Sequence, residues 1–180
     1  MDDEGLDPDA LAAELDSRSD APSFLYTIPT FQNPSGRTLS AARRTRLVEI
    51  VRAHSLAVLE DDPYGLVRFE GTAPPSLLEL EGGTLVTYTS SFSKTVAPGL
   101  RVGYMVCPPD LAGRLAAAAA RTYISPALLA EAAGAREAGE RVLVGEGADL
   151  LLRALACRAL AGECLLEARN ARAQRVDLLL

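Results

Sequence analysis

Hydrophobic positions along the chain alternate between two periods. From Ser40 the run AARRTRLVEIVRAH places Leu47, Ile50, Val51 and His54 on one helical face and its arginines on the other, so it predicts an amphipathic helix capped by Ser40. DPDALAAEL has Leu11 and Leu15 at helical spacing behind an acidic start, which predicts a short helix opened by Asp7 or Asp9. Between these, SFLYTIP predicts a buried strand ending at Pro29, and SLAVLE a short apolar strand broken by EDDPYG. Gly82 and Gly83 lead into the strand TLVTYTS. SFSKTVAPGLR then interrupts, and RVGYMVC resumes strand character up to Pro108 and Pro109. Asp110 to Arg121 is an alanine-rich helix. Short strands alternating with helices, with polar loops at the strand ends, predict an α/β domain with a mostly parallel sheet and flanking helices. In such sheets ligands sit beyond the carboxyl ends of the strands.

Past Gly134 the text changes. Residues 134–180 are rich in Ala, Leu, Arg and Glu, lack aromatic residues, and balance seven arginines against seven acids. They read as a divergent tail, either one or two helices or a poorly ordered segment, carrying no chemistry and separate from a domain spanning 1–133.

Composition narrows the class. At 180 residues, 48% hydrophobic and 23% charged, the chain is long enough for one globular core, and no apolar run approaches a membrane span. The N-terminus has neither the basic start nor the apolar stretch of a secretory leader, so the expected location is the cytoplasm. Net charge is −6, but the first 20 residues hold eight acids and one arginine, so the rest sums to +1. That distribution argues against a nucleic-acid partner. Cys107, Cys157 and Cys164 form no CxxC pair, which argues against a metal ribbon or a disulfide framework. His54, the one histidine, suits the last turn of its helix.

Arginine outnumbers lysine 17 to 1, and the single lysine is Lys94. Arginine cannot serve as a nucleophilic amine, so an amine at this one place is informative. Around it, SSFSKTVAPGLR supplies the hydroxyls of Ser91 and Ser93 and the guanidinium of Arg101, groups suited to a phosphate dianion. In LEDDPYG, Asp61 stands three residues before Tyr64, so a carboxylate and a phenol can address two edges of one aromatic ring. Asp61 and Asp62 could each be a turn cap, and the three-residue spacing favours Asp61. Asn33, in the turn-rich QNPSG loop, could share a ring oxygen with Tyr64. A Schiff-base lysine, a ring-nitrogen partner and a phosphate anchor together suit an aldehyde cofactor.

FLYTIPTFQNPSGRTLS, LEDDPYG and SSFSKTVAPGLRVGY, in that order and spacing, resemble the three central motifs of fold-type I aminotransferases of class I/II that use pyridoxal 5'-phosphate (PLP). Their wording is most similar to bacterial 2-aminoadipate and multifunctional α-amino-acid aminotransferases, which are related to the aminotransferase-like half of GntR-type regulators. The resemblance covers about residues 4 to 133. It implies that Lys94 bears the cofactor, Asp61 binds the pyridine nitrogen, Tyr64 and Asn33 contact the ring hydroxyl, and Ser91, Ser93 and Arg101 hold the phosphate. It also implies ping-pong transamination between an amino acid and a 2-oxo acid, in a homodimer. A complete member carries a phosphate-cupping glycine loop and a stacking aromatic ring before this segment, and a carboxylate-binding arginine in a later domain, so these are expected outside this chain. The alternatives are another fold-type I activity (decarboxylase, racemase or synthase) or a non-catalytic fragment or regulatory remnant.

Overall fold

The computed structural model describes residues 1–122 and 176–179. The chain divides into two compact units, Met1–Thr89 and Ser90–Leu180.

In the first unit, helix α1 (Pro8–Ser17) begins where Asp7 accepts hydrogen bonds from the amides of Asp9 (3.0 Å) and Ala10 (3.2 Å), with Pro8 at the first helical position. Strand β1 (Leu25–Thr27) leads through a loop to helix α2 (Ala41–Ala53), capped by Ser40 Oγ accepting from the Arg43 amide. Strand β2 (Val58–Asp61), helix α3 (Leu77–Glu81) and most of strand β3 (Val86–Ser91) complete the unit. Helix α3 is capped by Ser76 and stopped by Gly82, whose φ of 90° is left-handed.

Strands β1, β2 and β3 are parallel, with Leu25 opposite Val58, Thr27 opposite Glu60, Val58 opposite Val86 and Asp61 opposite Thr89. Because side chains alternate between faces, Leu25, Val58 and Val86 share one face. There they meet Leu47, Val48 and Val51 of α2, Leu77 of α3, and Leu39. Each fully buried side chain of this size contributes roughly 1.5–3 kcal/mol of hydrophobic stabilisation.

Two expectations for this unit need correction. SFLYTIP is a strand only over Leu25–Thr27, and it is not uniformly buried: Tyr26, on the face away from the core, is 51% exposed, as is Phe24 at 54%. The face of α2 expected to carry its arginines is also not wholly solvated. Arg44 is 1% exposed and lies among the core residues of that helix, whereas His54 caps the helix end in solvent, 3.5 Å from Asp16.

Arg44 can be buried because all of its nitrogens are used. Its Nε donates to the Leu39 carbonyl (3.0 Å), Nη1 to that of Pro75 (3.1 Å), and Nη2 to that of Pro29 (2.9 Å) and to Thr30 Oγ1 (2.8 Å). One side chain thus ties both ends of the 29–39 loop to the segment entering α3. Burial pulls its proton affinity below the usual arginine range while the charges of Glu60 and Asp62 oppose that pull. Glu60, with no exposed surface, accepts from the amides of Leu77 and Leu78, both at 2.9 Å, and so binds the end of β2 to the start of α3.

In the second unit, the end of β3 passes into a turn closed by the amides of Val96 and Ala97 on the Phe92 carbonyl. Strand β4 (Gly103–Cys107) and helix α4 (Pro109–Thr122) follow. Phe92, Val102, Val106, Cys107 and Ala112 are buried, and the rings of Phe92 and Tyr104 lie 5.4 Å apart. Gly103 is required sterically, since a Cβ there would stand 2.9 Å from the Ser90 carbonyl oxygen.

Strand β5 (Val176–Leu179) pairs antiparallel with β4, Cys107 opposite Val176 and Tyr104 opposite Leu179. These four residues are therefore strand where helix is expected. The rest of the 134–180 tail, including Cys157 and Cys164, lies outside the described residues. No helix among the described residues is long and apolar enough to cross a membrane.

Candidate active site

Parallel strands send their following loops to one edge of the sheet, so the loop after β1, which carries Asn33, and the turn after β2, which carries Tyr64, leave the first unit on the same side. The first is a compact knot. Gln32 donates its amide to the Arg37 carbonyl (2.8 Å), Leu39 to that of Pro29 (2.8 Å), and Phe31 to Thr38 Oγ1 (3.1 Å). The Asn33–Pro34 bond at its tip is cis. Asn33 is exposed, and its side chain makes no hydrogen bond among the described residues.

Alternation along β2 separates the two adjacent acids. Tyr26 of β1 pairs with Leu59, two residues before Asp61, so Tyr26 and Asp61 are diagonal neighbours on one face. The Tyr26 hydroxyl donates to Asp61 Oδ2 at 2.6 Å. On the opposite face Tyr88 of β3, paired with Glu60, donates to Asp62 Oδ2 at 3.1 Å. Asp62 also accepts from the Gly65 amide (2.8 Å), a bond that shapes the turn holding Tyr64. A Cβ on Gly65 would collide with the Asp62 carboxylate.

These surroundings give the two acids different tasks. Burial raises the Asp62 carboxyl above the usual range, against the Tyr88 hydroxyl, the Gly65 amide and the Arg44 charge. Asp62 is thus a structural acceptor within the turn. Asp61 uses one oxygen on Tyr26, and among the described residues its Oδ1 accepts no hydrogen bond. Of the two, Asp61 has the carboxylate oxygen left for a ligand.

The remaining residues singled out from the sequence lie in the second unit, on the connection between β3 and β4. Ser91 Oγ donates to Ser93 Oγ (2.8 Å) and accepts from the Ser93 amide (3.1 Å). Ser91 Oγ also reaches the Val102 carbonyl at 3.4 Å, which the Phe92 amide meets at 3.1 Å. Ser91–Ser93 and the segment after Arg101 are thereby held side by side. Arg101 is exposed with a left-handed φ of 54°. Lys94 is exposed within the turn, next in sequence to Ser93. The structure thus brings the two serines into contact and places Lys94 and Arg101 on the same connection.

The family of this set follows from its sequence. A family model described as aminotransferase class I and II matches residues 1–143. The chain belongs to that family. Among relatives, it is 43% identical over 115 residues to a 2-aminoadipate transaminase of Thermus thermophilus, covering 62% of this chain and 28% of that protein. It is 35% identical over 116 residues to an uncharacterized helix-turn-helix transcriptional regulator of Bacillus subtilis, covering 64% and 24%. Among solved structures, an α-aminoadipate aminotransferase of Thermus thermophilus, complexed with N-(5'-phosphopyridoxyl)-L-leucine, superposes with a TM-score of 0.69 at 34% identity. That match covers 86% of this chain and 39% of that one. The chain thus spans about a quarter to two fifths of the length of these proteins. Membership in the aminotransferases accords with the α/β architecture and mostly parallel sheet.

Sequence reasoning missed four residues near these candidate positions. Tyr26, Tyr88 and Arg44 act through strand register or loop closure, which no local spacing reports. Arg68 stacks over the Phe31 ring at 4.6 Å, and its buried Nε and Nη2 have no hydrogen-bond partner among the described residues. A lone arginine in RFEG carries no signal of that environment.

Proposed function

We propose that this chain is the cofactor-holding part of a PLP-dependent aminotransferase that exchanges the amino group of an α-amino acid with a 2-oxo acid. The observation that carries the proposal is the placement of the one lysine beside a pair of serine hydroxyls already in contact, on a connection that also bears Arg101.

The donor set fits the cofactor in kind. Ser91, Ser93 and Arg101 offer two hydroxyls and a planar guanidinium to a phosphate dianion. Asp61 Oδ1 offers a carboxylate oxygen to hold a proton on the pyridine nitrogen. Tyr64 and Asn33 offer a hydroxyl and an amide to the ring oxygen. When bound, PLP supplies an electron sink that permits removal of the substrate's α-proton. Lys94 would hold the cofactor covalently through Nζ, and the same amine, when free, would serve as the base that moves that proton. Relatives named for 2-aminoadipate support an amino-dicarboxylate or similar substrate. The working form in this reading is a cytoplasmic homodimer.

The likeness to a helix-turn-helix regulator supports a second reading, in which the same groups hold the cofactor for sensing in place of turnover.

The test is to incubate the purified chain with PLP, reduce with borohydride and locate the adduct by mass spectrometry. A pyridoxyl group on Lys94, absent from Lys94→Arg, is the expected result. An unmodified Lys94 would overturn the proposal for this chain. Addition of 2-aminoadipate to the loaded chain separates turnover from sensing, since only turnover releases an oxo acid.

A further inference from the structure

We infer that Tyr26 is a positioning residue for Asp61, holding one carboxylate oxygen so that the other is presented to the cofactor's ring nitrogen. The inference rests on the proposed role of Asp61. It begins from a contact that the fold does not need for burial: Tyr26 is 51% exposed, and Asp61 is only partly buried. The phenol nevertheless comes within 2.6 Å of Oδ2, a short, charge-assisted geometry.

The register explains how it reaches. Tyr26 stands opposite Leu59, so Asp61, two residues on, is its diagonal neighbour on the same face, within range of a long side chain. A carboxylate at a strand end can rotate about its last torsion, which is broad and nearly two-fold. A fixed donor on Oδ2 removes that freedom and leaves Oδ1 with a defined direction. The phenol remains a donor at any working pH, because its bond to Asp61 pushes its own pKa up to about 12. Tyr88 does the equivalent for Asp62 on the other face, where the acid serves the turn.

The experiment compares two probes on the full chain: PLP, and its analogue with the ring nitrogen replaced by C–H. If Tyr26 acts through Asp61 on that nitrogen, Tyr26→Phe weakens PLP binding about three- to tenfold, the range for loss of one supporting hydrogen bond, and leaves the analogue within about twofold. Equal weakening of both probes would mean a general structural role, and no weakening would mean no role; either overturns the inference. A second readout needs no cofactor. The Tyr26 phenol, followed by NMR of its ring carbon, should titrate near 12 and fall toward its ordinary 10 in Asp61→Asn. A titration near 10 in the unmodified chain would overturn the hydrogen bond itself. Failure of the unmodified chain to bind PLP, with Tyr26 still titrating near 12, would overturn the cofactor role while leaving the pair intact.

Discussion

Replacing Arg44 with lysine keeps the charge and removes the fork. The guanidinium serves four acceptors from three nitrogens: the carbonyls of Leu39, Pro75 and Pro29, and Thr30 Oγ1. A lysine has one nitrogen at the end of a flexible stem, so it cannot occupy the positions of Nε, Nη1 and Nη2 together. At least two buried acceptors would lose their donor. At about 1–2 kcal/mol for each orphaned group, Arg44→Lys should cost about 2–4 kcal/mol. For a domain with a urea dependence of about 2 kcal/mol per molar, the midpoint should fall by about 1–2 M in far-ultraviolet circular dichroism. Arg46 on the same helix is the internal control. It is half exposed and pairs only with the exposed acids Asp9 and Glu49, so Arg46→Lys should leave the midpoint nearly unchanged. If Arg44→Lys lowered the midpoint no more than Arg46→Lys, the reasoning that Arg44 closes the 29–39 loop would be refuted.

The N-terminal acids offer a pH test. The Arg43 hydrogen bond, followed by the Glu4 amide, holds the Asp2 carboxyl down to about 2 from its ordinary 3.8. A depressed carboxyl adds stability above its unfolded value and loses it as pH falls through the folded one, so anchoring of the first residues should weaken between about 3.8 and 2. NMR titration of Asp2 should show a midpoint near 2 that returns toward 3.8 in Arg43→Gln. In the second unit, Gly103→Ala should destabilise the chain by about 1–3 kcal/mol, because its Cβ would press on backbone. Thermal melting checks this, and an unchanged melting temperature would contradict the close approach of Ser90 and Gly103.

Local pattern was a good guide to the elements and a poor one to their faces. Ser40, Asp7 and the Gly82 stop are contacts between near neighbours in sequence, so their signals lie within a few residues. Arg44 defeats helical periodicity, because its partners come from residues 29–39 and 75 and satisfy a charge that the pattern assigns to solvent. Tyr26 reads as one more apolar position of a strand until the pairing with β2 shows which acid it faces. Spacing from Tyr64 favours Asp61 over Asp62, and it does not report that the alternation of β2 leaves Oδ1 of Asp61 without a hydrogen bond among the described residues. The contact between Ser91 and Ser93 joins near neighbours in sequence, whereas the strand at Val176–Leu179 needs a partner in β4 and has no signature in a segment rich in leucine and arginine.

Asp61 and Asp62 follow one another at a strand end, yet the alternation of β2 gives them different partners. Change at position 62 is felt by the turn and so by folding, through Tyr88 and Gly65. Change at position 61 is felt by one exposed phenol and by whatever donates to the open oxygen. A substitution at position 61 can therefore be accepted without eroding the turn, whereas one at position 62 removes the acceptor that shapes it.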